Sequence, residues 1–158
     1  SKSSLNTIEK LGKYMLDKGF SCSSRDDIDA DFYCIGIVLE EMTGADFILC
    51  SIAKLIAQKA GLDLKIIHVN GSYVLIDRHG QILFPANWDC SQKLGSGVVR
   101  EWDNHMIFKL TSSLILVHAL TTDSFRYIHT IGSFLARSSG IENGDFLPYP
   151  YGGNQPQL

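Results

Sequence analysis

Residues 43–84 decide the fold, and they read TGADFILCSIAKLIAQKAGLDLKIIHVNGSYVLIDRHGQILF. From 47 to 60, apolar side chains occupy nearly every side of a helical wheel. A helix with so narrow a polar strip is typically buried. Gly61 follows at the place where a left-handed residue commonly ends a helix. The stretch therefore predicts a buried helix that ends at about residue 60.

Extended segments follow this helix. Asn70-Gly71 is the strongest short signal for a two-residue hairpin turn, and it separates two runs of apolar and β-branched residues. A second turn then leads to a short third run. We predict an α+β fold in which the helix precedes a three-stranded antiparallel meander, with strands at 64–69, 72–77 and 81–84.

Two further helices are predicted before this core. Apolar residues recur at helical spacing over 4–18 and again over 25–42. The second run begins with Ser24-Arg25-Asp26-Asp27, which has the spacing of a capping box. We therefore expect two continuous helices on the N-terminal side of the core.

The C-terminal part is predicted to be helical after a glycine-containing loop. Helical spacing recurs over about 101–120 and 123–138, with a break between them, and the two together predict a helical hairpin over 101–138. Beyond it the chain is rich in Pro, Gly, Tyr and Asn, which favours a mobile end. We expect one domain over 1–147 and a flexible tail over 148–158.

Composition argues against several classes of function. The 158 residues are 45% hydrophobic and 20% charged, an ordinary globular balance with a net charge of -3. Lys and Arg are scattered, whereas nucleic-acid binding needs a clustered basic surface. No apolar run approaches the roughly 20 residues that cross a membrane. We expect neither nucleic acid nor membrane among the partners.

The cysteines and histidines suggest no metal or cofactor. None of the four cysteines lies in a CxxC pair, and the five histidines add no local pairing of the kind that zinc sites use. Two of the cysteines lie in apolar helical runs, where a free Cys behaves as a small core residue. We expect no cofactor, no metal, no disulfide and a reducing, cytoplasmic location.

A buried helix followed by a three-stranded meander resembles the core of papain-like and transglutaminase-like enzymes. The chain is most similar to the compact bacterial transglutaminase-like proteins of the SirB type, and the similarity covers about 25–138. Their helix pattern matches 43–51 and 60–62, and their next strands match 70–75 and 83–86. The resemblance implies a transglutaminase-like fold and a bacterial origin.

In those enzymes a Cys at the start of the helix is the nucleophile, and the helix N-terminus helps to stabilise its thiolate. A His at the start of the second strand is the base, and an Asp on the third strand orients it. The matching positions here are Asp46, Ser72 and Phe84. A carboxylate forms no thioester, Ser does not replace imidazole as a base near neutral pH, and Phe orients nothing by hydrogen bonding. The resemblance therefore implies a degenerate site with no catalytic residues.

Cys50 is the rival nucleophile. A shifted set could combine it with His68 or His79 and with Asp77 or Asp89, since the order Cys, His, Asp occurs along the chain. However, Cys50 lies about one turn inside the predicted helix, which favours a core cysteine. His68 alternates onto a strand face and is interpreted as a structural histidine.

Two other features have structural and functional interpretations. Asp46 is expected to cap the buried helix, because Asp is a favoured capping residue. Trp88-Asp89 either lines a vestigial cleft and binds a ligand there, or forms a turn with a packed Trp, and the sequence favours neither.

The leading functional hypothesis is a non-catalytic transglutaminase-like domain that binds another protein as a regulatory module. The alternative is a divergent cysteine hydrolase, deamidase or transferase that uses Cys50 with a histidine. A third hypothesis is an adaptor that binds through the predicted helical hairpin.

Overall fold

The computed structural model describes residues 7–23, 29–90 and 100–122, together with positions 131, 132, 135–137 and 140. The chain divides into two compact units, residues 1–107 and 108–158, and each is described by itself. In the described ranges, no helix has the length and apolar character needed to cross a membrane.

Helix α1 spans Ile8–Asp17 and confirms the first predicted helix over its described part. It begins later than predicted because Thr7 is extended, with φ -136° and ψ 152°, and its side chain accepts a hydrogen bond from the Lys10 N–H. The predicted apolar stripe is buried at Ile8, Leu11 and Met15.

The prediction of one continuous helix over 25–42 is wrong. A 3-10 helix spans Ala30–Tyr33, and helix α2 spans only Ile35–Glu41. Between them Cys34 is extended, with φ -92° and ψ 105°. The Asp29 side chain accepts a hydrogen bond from the Asp31 N–H at 3.1 Å, so a local side-chain bond begins a tight turn there. Residues 24–28, where the capping box was predicted, lie outside the described residues.

A small parallel pair that the sequence analysis missed brackets this segment. Strand β1, Ser21–Cys22, pairs with strand β2, Thr43–Gly44. Met42 adopts a left-handed conformation, with φ 57°, and ends α2 just before β2. The pair holds the segment that follows α1 beside the start of the helix that follows β2.

The central helix and the meander are confirmed. Helix α3 spans Asp46–Lys59. Strands β3, Lys65–Val69, and β4, Ser72–Ile76, form the predicted hairpin, and β5, Ile82–Leu83, pairs with β4. Asn70 and Gly71 both have positive φ, 50° and 79°, as a two-residue hairpin turn requires.

The sheet has a fourth strand that the sequence analysis missed. Strand β6, Glu101–Trp102, pairs antiparallel with β3, so the sheet order is β5-β4-β3-β6. Helix α4 therefore begins at Asn104 rather than at the predicted 101, and it ends at Thr121. The Asp103 side chain accepts a hydrogen bond from the Met106 N–H at 2.8 Å and so caps its first turn.

The two faces of the sheet differ in their neighbours. Because paired strand residues share a face, Ile66, Leu75 and Leu83 lie on one face, which we call the helix face. Helix α3 packs against β4 and β3, and α1 packs against β5. Ile67, Val74 and Ile82 form a buried cluster on the opposite face.

The second unit is described only in part. Helix α4 continues into it, and positions 131, 132 and 135–137 are helical, as predicted for 123–138. The rest of the predicted hairpin, the domain end at 147 and the tail over 148–158 lie outside the described residues. The α+β fold class is confirmed, and the one-domain organisation stays a prediction.

Candidate functional site

The start of α3 is organised by the Asp46 carboxylate. The residue before it, Ala45, occupies the capping position but offers no side-chain hydrogen bond. Oδ1 of Asp46 instead accepts a hydrogen bond from the Phe47 N–H at 2.8 Å. Asp46 therefore caps from one position inside the helix, where a negative charge also interacts favourably with the helix dipole.

The second oxygen of Asp46 joins the helix to the sheet. Its Oδ2 accepts a hydrogen bond from the Tyr73 N–H at 2.9 Å, across 27 residues of chain. Strand β5 pairs with β4 only at Leu75 and Ile76, so it ends before Tyr73. The carboxylate thus replaces a strand partner for this N–H and ties the start of β4 to the start of α3.

Several aromatic rings lie around the contact between Asp46 and the Tyr73 N–H. The Tyr73 ring lies 5.6 Å from that of Phe47 and 4.9 Å from that of Trp102, both edge-to-face. His68, opposite Tyr73 in the strand pair, places its ring 4.7 Å from it. The Tyr33 ring stacks on the Phe47 ring, with their centroids 5.9 Å apart. Burial, and then the nearby Asp46 carboxylate, raise the pKa of the Tyr73 hydroxyl.

Ser72 and Phe84 lie on the opposite face of the sheet. Successive strand residues point to opposite faces, and the contact of Tyr73 with Phe47 places Tyr73 on the helix face. Ser72 pairs with Val69, and Phe84 packs with Val69 against the buried cluster. The structure therefore brings Asp46 against Tyr73, whereas the side chain of Ser72 points the other way.

Cys50 is a core residue in the structure. Its side chain is 0% exposed, as the core interpretation predicted. Burial, and then the Asp46 and Cys22 side chains, raise the pKa of the Cys50 thiol well above its usual value. In the described part of the chain, no hydrogen bond joins Cys50 to a histidine. His68 is exposed on its strand and contacts the rings of Tyr73 and Trp102.

The other members of the alternative set lie in turns. Asp77 accepts hydrogen bonds through Oδ1 from the N–H groups of His79 and Gln81, at 2.8 and 2.9 Å. The His79 ring accepts a hydrogen bond from Arg78 Nε. Asp77 and His79 thus belong to the turn between β4 and β5. Asp89 is exposed, and its carbonyl accepts a hydrogen bond from the Phe84 N–H at 3.2 Å.

Trp88 packs in the core rather than lining a cleft. It is 5% exposed, and its Nε1 donates a hydrogen bond to the Phe20 carbonyl at 2.7 Å. Its backbone is left-handed, with φ 54°. Its carbonyl would lie 2.6 Å from a Cβ built on Gly12, so the turn packs tightly on α1. These contacts favour the interpretation of a turn with a packed Trp.

A family model described as the transglutaminase-like superfamily matches residues 1–113. The chain belongs to the transglutaminase-like superfamily. No curated protein matches it, and no solved structure matches it. Among the described residues, the matched part of this transglutaminase-like chain includes strands β1 to β6, α1 to α3 and the first half of α4.

The sequence analysis did not identify the aromatic residues of the candidate site. Tyr73 follows Ser72 on the strand, and strand alternation alone could have placed one of the two on the helix face. No local sequence signal indicated that Phe47 and Trp102 contact Tyr73. Phe47 lies at the start of α3 and Trp102 in the two-residue edge strand β6, and only the fold brings them to Tyr73. Among the described residues, no group of His, Cys, Asp and Glu could hold a metal ion.

Proposed function

We propose that this transglutaminase-like domain works without cysteine chemistry, as a protein-binding or regulatory module. The observation that carries the proposal is the engagement of Asp46. Its two carboxylate oxygens accept hydrogen bonds from the Phe47 and Tyr73 N–H groups, at the helix start where the resemblance expects a nucleophilic Cys. A carboxylate in that position stabilises the fold but forms no thioester.

The state of Cys50 supports the same proposal. A nucleophilic cysteine reacts as the thiolate and therefore needs exposure and a lowered pKa. Cys50 is fully buried, and its pKa is raised rather than lowered. A domain that keeps the scaffold but lacks a nucleophile has binding as its simplest remaining use. We place it in a reducing compartment such as the cytoplasm.

Thiol labelling and activity assays test the proposal together. Native protein would be treated with iodoacetamide at pH 6 and pH 8, and the labelled cysteines would be identified by mass spectrometry. We expect Cys50 to stay unlabelled in the native protein and to react fully in guanidinium chloride. Wild type and C50A would also be assayed for transfer of a fluorescent amine to a glutaminyl peptide, and for ester and peptide hydrolysis.

We expect neither protein to exceed the buffer rate. Rapid labelling of Cys50 at pH 6, together with turnover that C50A abolishes, would overturn the proposal. That result would establish the alternative of a divergent cysteine hydrolase, deamidase or transferase.

A further inference from the structure

Helix α2 carries an exposed apolar ridge. Ile35 and Leu39 are one turn apart and therefore lie side by side on the helix surface. Their exposed fractions are 46% and 44%, so both present apolar surface to solvent. Val38, on the adjoining strip of the same helix, is 0% exposed and anchors α2 to the first unit. We call the exposed pair Ile35 and Leu39 the α2 ridge.

The sequence around the ridge is acidic throughout. Residues 26–53 contain seven carboxylates and no Lys, Arg or His. Asp29 and Asp31 are exposed just before α2, and Glu40 and Glu41 are exposed at its end. The ridge is therefore flanked by negative charge on both sides, although the whole chain carries only -3.

We propose that the α2 ridge docks a basic amphipathic segment of a partner protein, with apolar side chains on Ile35 and Leu39 and Lys or Arg facing the flanking carboxylates. Amphipathic helices commonly bind a partner by laying their apolar face on an apolar surface of that partner. Complementary charge selects the partner and speeds association. The inference rests on the proposed binding function and names its surface and partner.

Other occupants fit the charge less well. Nucleic acid and anionic membrane surfaces are repelled by the same carboxylates. A symmetric contact with a second copy would place the same acidic residues opposite each other. The ridge is small, so a transient interface is expected.

Two synthetic peptides probe the ridge. One is an 18-residue helix with Leu on one face and Lys on the other, and the second has the same Leu face with Glu in place of Lys. Binding to the whole chain would be followed by fluorescence anisotropy. We expect the Lys peptide to bind wild type. We expect the double variant I35S/L39S to bind it about tenfold more weakly, because the two substitutions remove exposed apolar contacts.

A matched apolar control is available on α3. Leu55 is 54% exposed, so L55S removes a comparable exposed side chain outside the acidic segment. We expect L55S to bind the Lys peptide as wild type does. Equal weakening by L55S would overturn the proposal, as would equal binding of the Lys and Glu peptides or no binding at all.

Charge reversal separates a local from a general effect. E40K/E41K should reduce binding of the Lys peptide and raise that of the Glu peptide. D17K/D63K makes the same change in net charge at exposed residues on α1 and after α3, and it should change binding much less. Equal effects of the two pairs would overturn the proposal.

Sedimentation and thiol labelling complete the test. A wild-type dimer that I35S/L39S dissociates would assign the ridge to a second copy and overturn the proposal of a basic partner. The labelling of Cys50 does not depend on the ridge. A failure here with an unlabelled Cys50 therefore rejects the docking surface alone, whereas a reactive Cys50 rejects the proposed function.

Discussion

Asp46 is the single residue on which the junction of helix and sheet depends. Replacing it with Ala leaves the Phe47 and Tyr73 N–H groups without the acceptor that they now share. Hydrogen bonds to a charged group contribute about 1.5–3 kcal/mol, so we expect D46A to lower the free energy of unfolding by about 2 kcal/mol. Urea unfolding monitored by tryptophan fluorescence measures this loss.

D46N is the matched control for D46A. An amide keeps one oxygen as an acceptor and loses the second, so its loss of stability should be smaller than that of D46A. A D46A variant within about 0.5 kcal/mol of wild type would show that the carboxylate does not hold the two elements together.

Tyr73, rather than Ser72, occupies the position from which a side chain can meet residue 46. In a D46C background, Y73H should therefore place an imidazole on the helix face, and S72H should place it on the opposite face. A neighbouring imidazolium lowers the pKa of a thiol. We expect D46C/Y73H to react with iodoacetamide at pH 6 about tenfold faster than D46C/S72H.

The comparison includes its own checks. D46C alone sets the rate that the helix N-terminus produces, and circular dichroism verifies that each variant is folded. Faster labelling of D46C/S72H would show that Ser72, as matched by the resemblance, is the position of the catalytic base after all.

Cys90 gives the protein a pH dependence. Burial, and then Glu9, Asp89 and Asp77, raise its pKa from 9.0 to about 11. Folding thus favours the protonated thiol. The contribution of the raised pKa to the free energy of unfolding is complete below pH 9 and is lost as the pH rises through 11. The free energy of unfolding of wild type minus that of C90S should therefore fall between pH 8 and pH 11. A difference that stays constant in urea titrations over this range would contradict the assigned pKa.

At the scale of elements, two helical glycines test how α1 and α2 are packed. A Cβ at Gly12 would lie 2.6 Å from the Trp88 carbonyl oxygen and 2.8 Å from Leu83 Cδ1, whereas one at Gly36 meets nothing within 4 Å. Ala favours a helix interior over Gly by about 0.5–1 kcal/mol. We expect G36A to stabilise the protein by that amount and G12A to destabilise it by about 1–3 kcal/mol.

Both substitutions add the same methyl group, so thermal unfolding of the pair isolates the packing contribution. Stabilisation by G12A would mean that α1 does not lie tightly on the turn that carries Trp88.

The elements that were predicted correctly carry their signals locally. The apolar run of α3 and the Asn70-Gly71 turn specify their structures from neighbouring residues alone. The pair β1 and β2 and the edge strand β6 have two residues each, and distant partners stabilise them. No periodicity can develop over two residues, which is why these strands were missed and α4 was predicted to begin too early.

The candidate site shows the same limit. A capping role for Asp46 followed from its place before an apolar run, and the structure adds that its second oxygen accepts from Tyr73. That contact joins residues 27 positions apart, so no local pattern could predict it. The extended backbone of Cys34 separates the 3-10 helix from α2, and the apolar spacing over 25–42 carried no sign of this break.

At the scale of the whole molecule, the cooperativity of unfolding tests the predicted single domain. The boundary between the compact units falls at 107/108, inside α4, which runs without a break from Asn104 to Thr121. Helix formation is cooperative, so unfolding on one side of this boundary should also disturb the part of α4 on the other side. We expect one unfolding transition.

Two probes separate the units. Both tryptophans, Trp88 and Trp102, lie in the first unit, so their fluorescence follows that unit alone, whereas circular dichroism at 222 nm follows helix throughout the chain. For a single domain the two urea transitions should coincide. A helical signal that persists after the fluorescence change would show that residues 108–158 unfold independently, and the chain would then be two domains joined by α4.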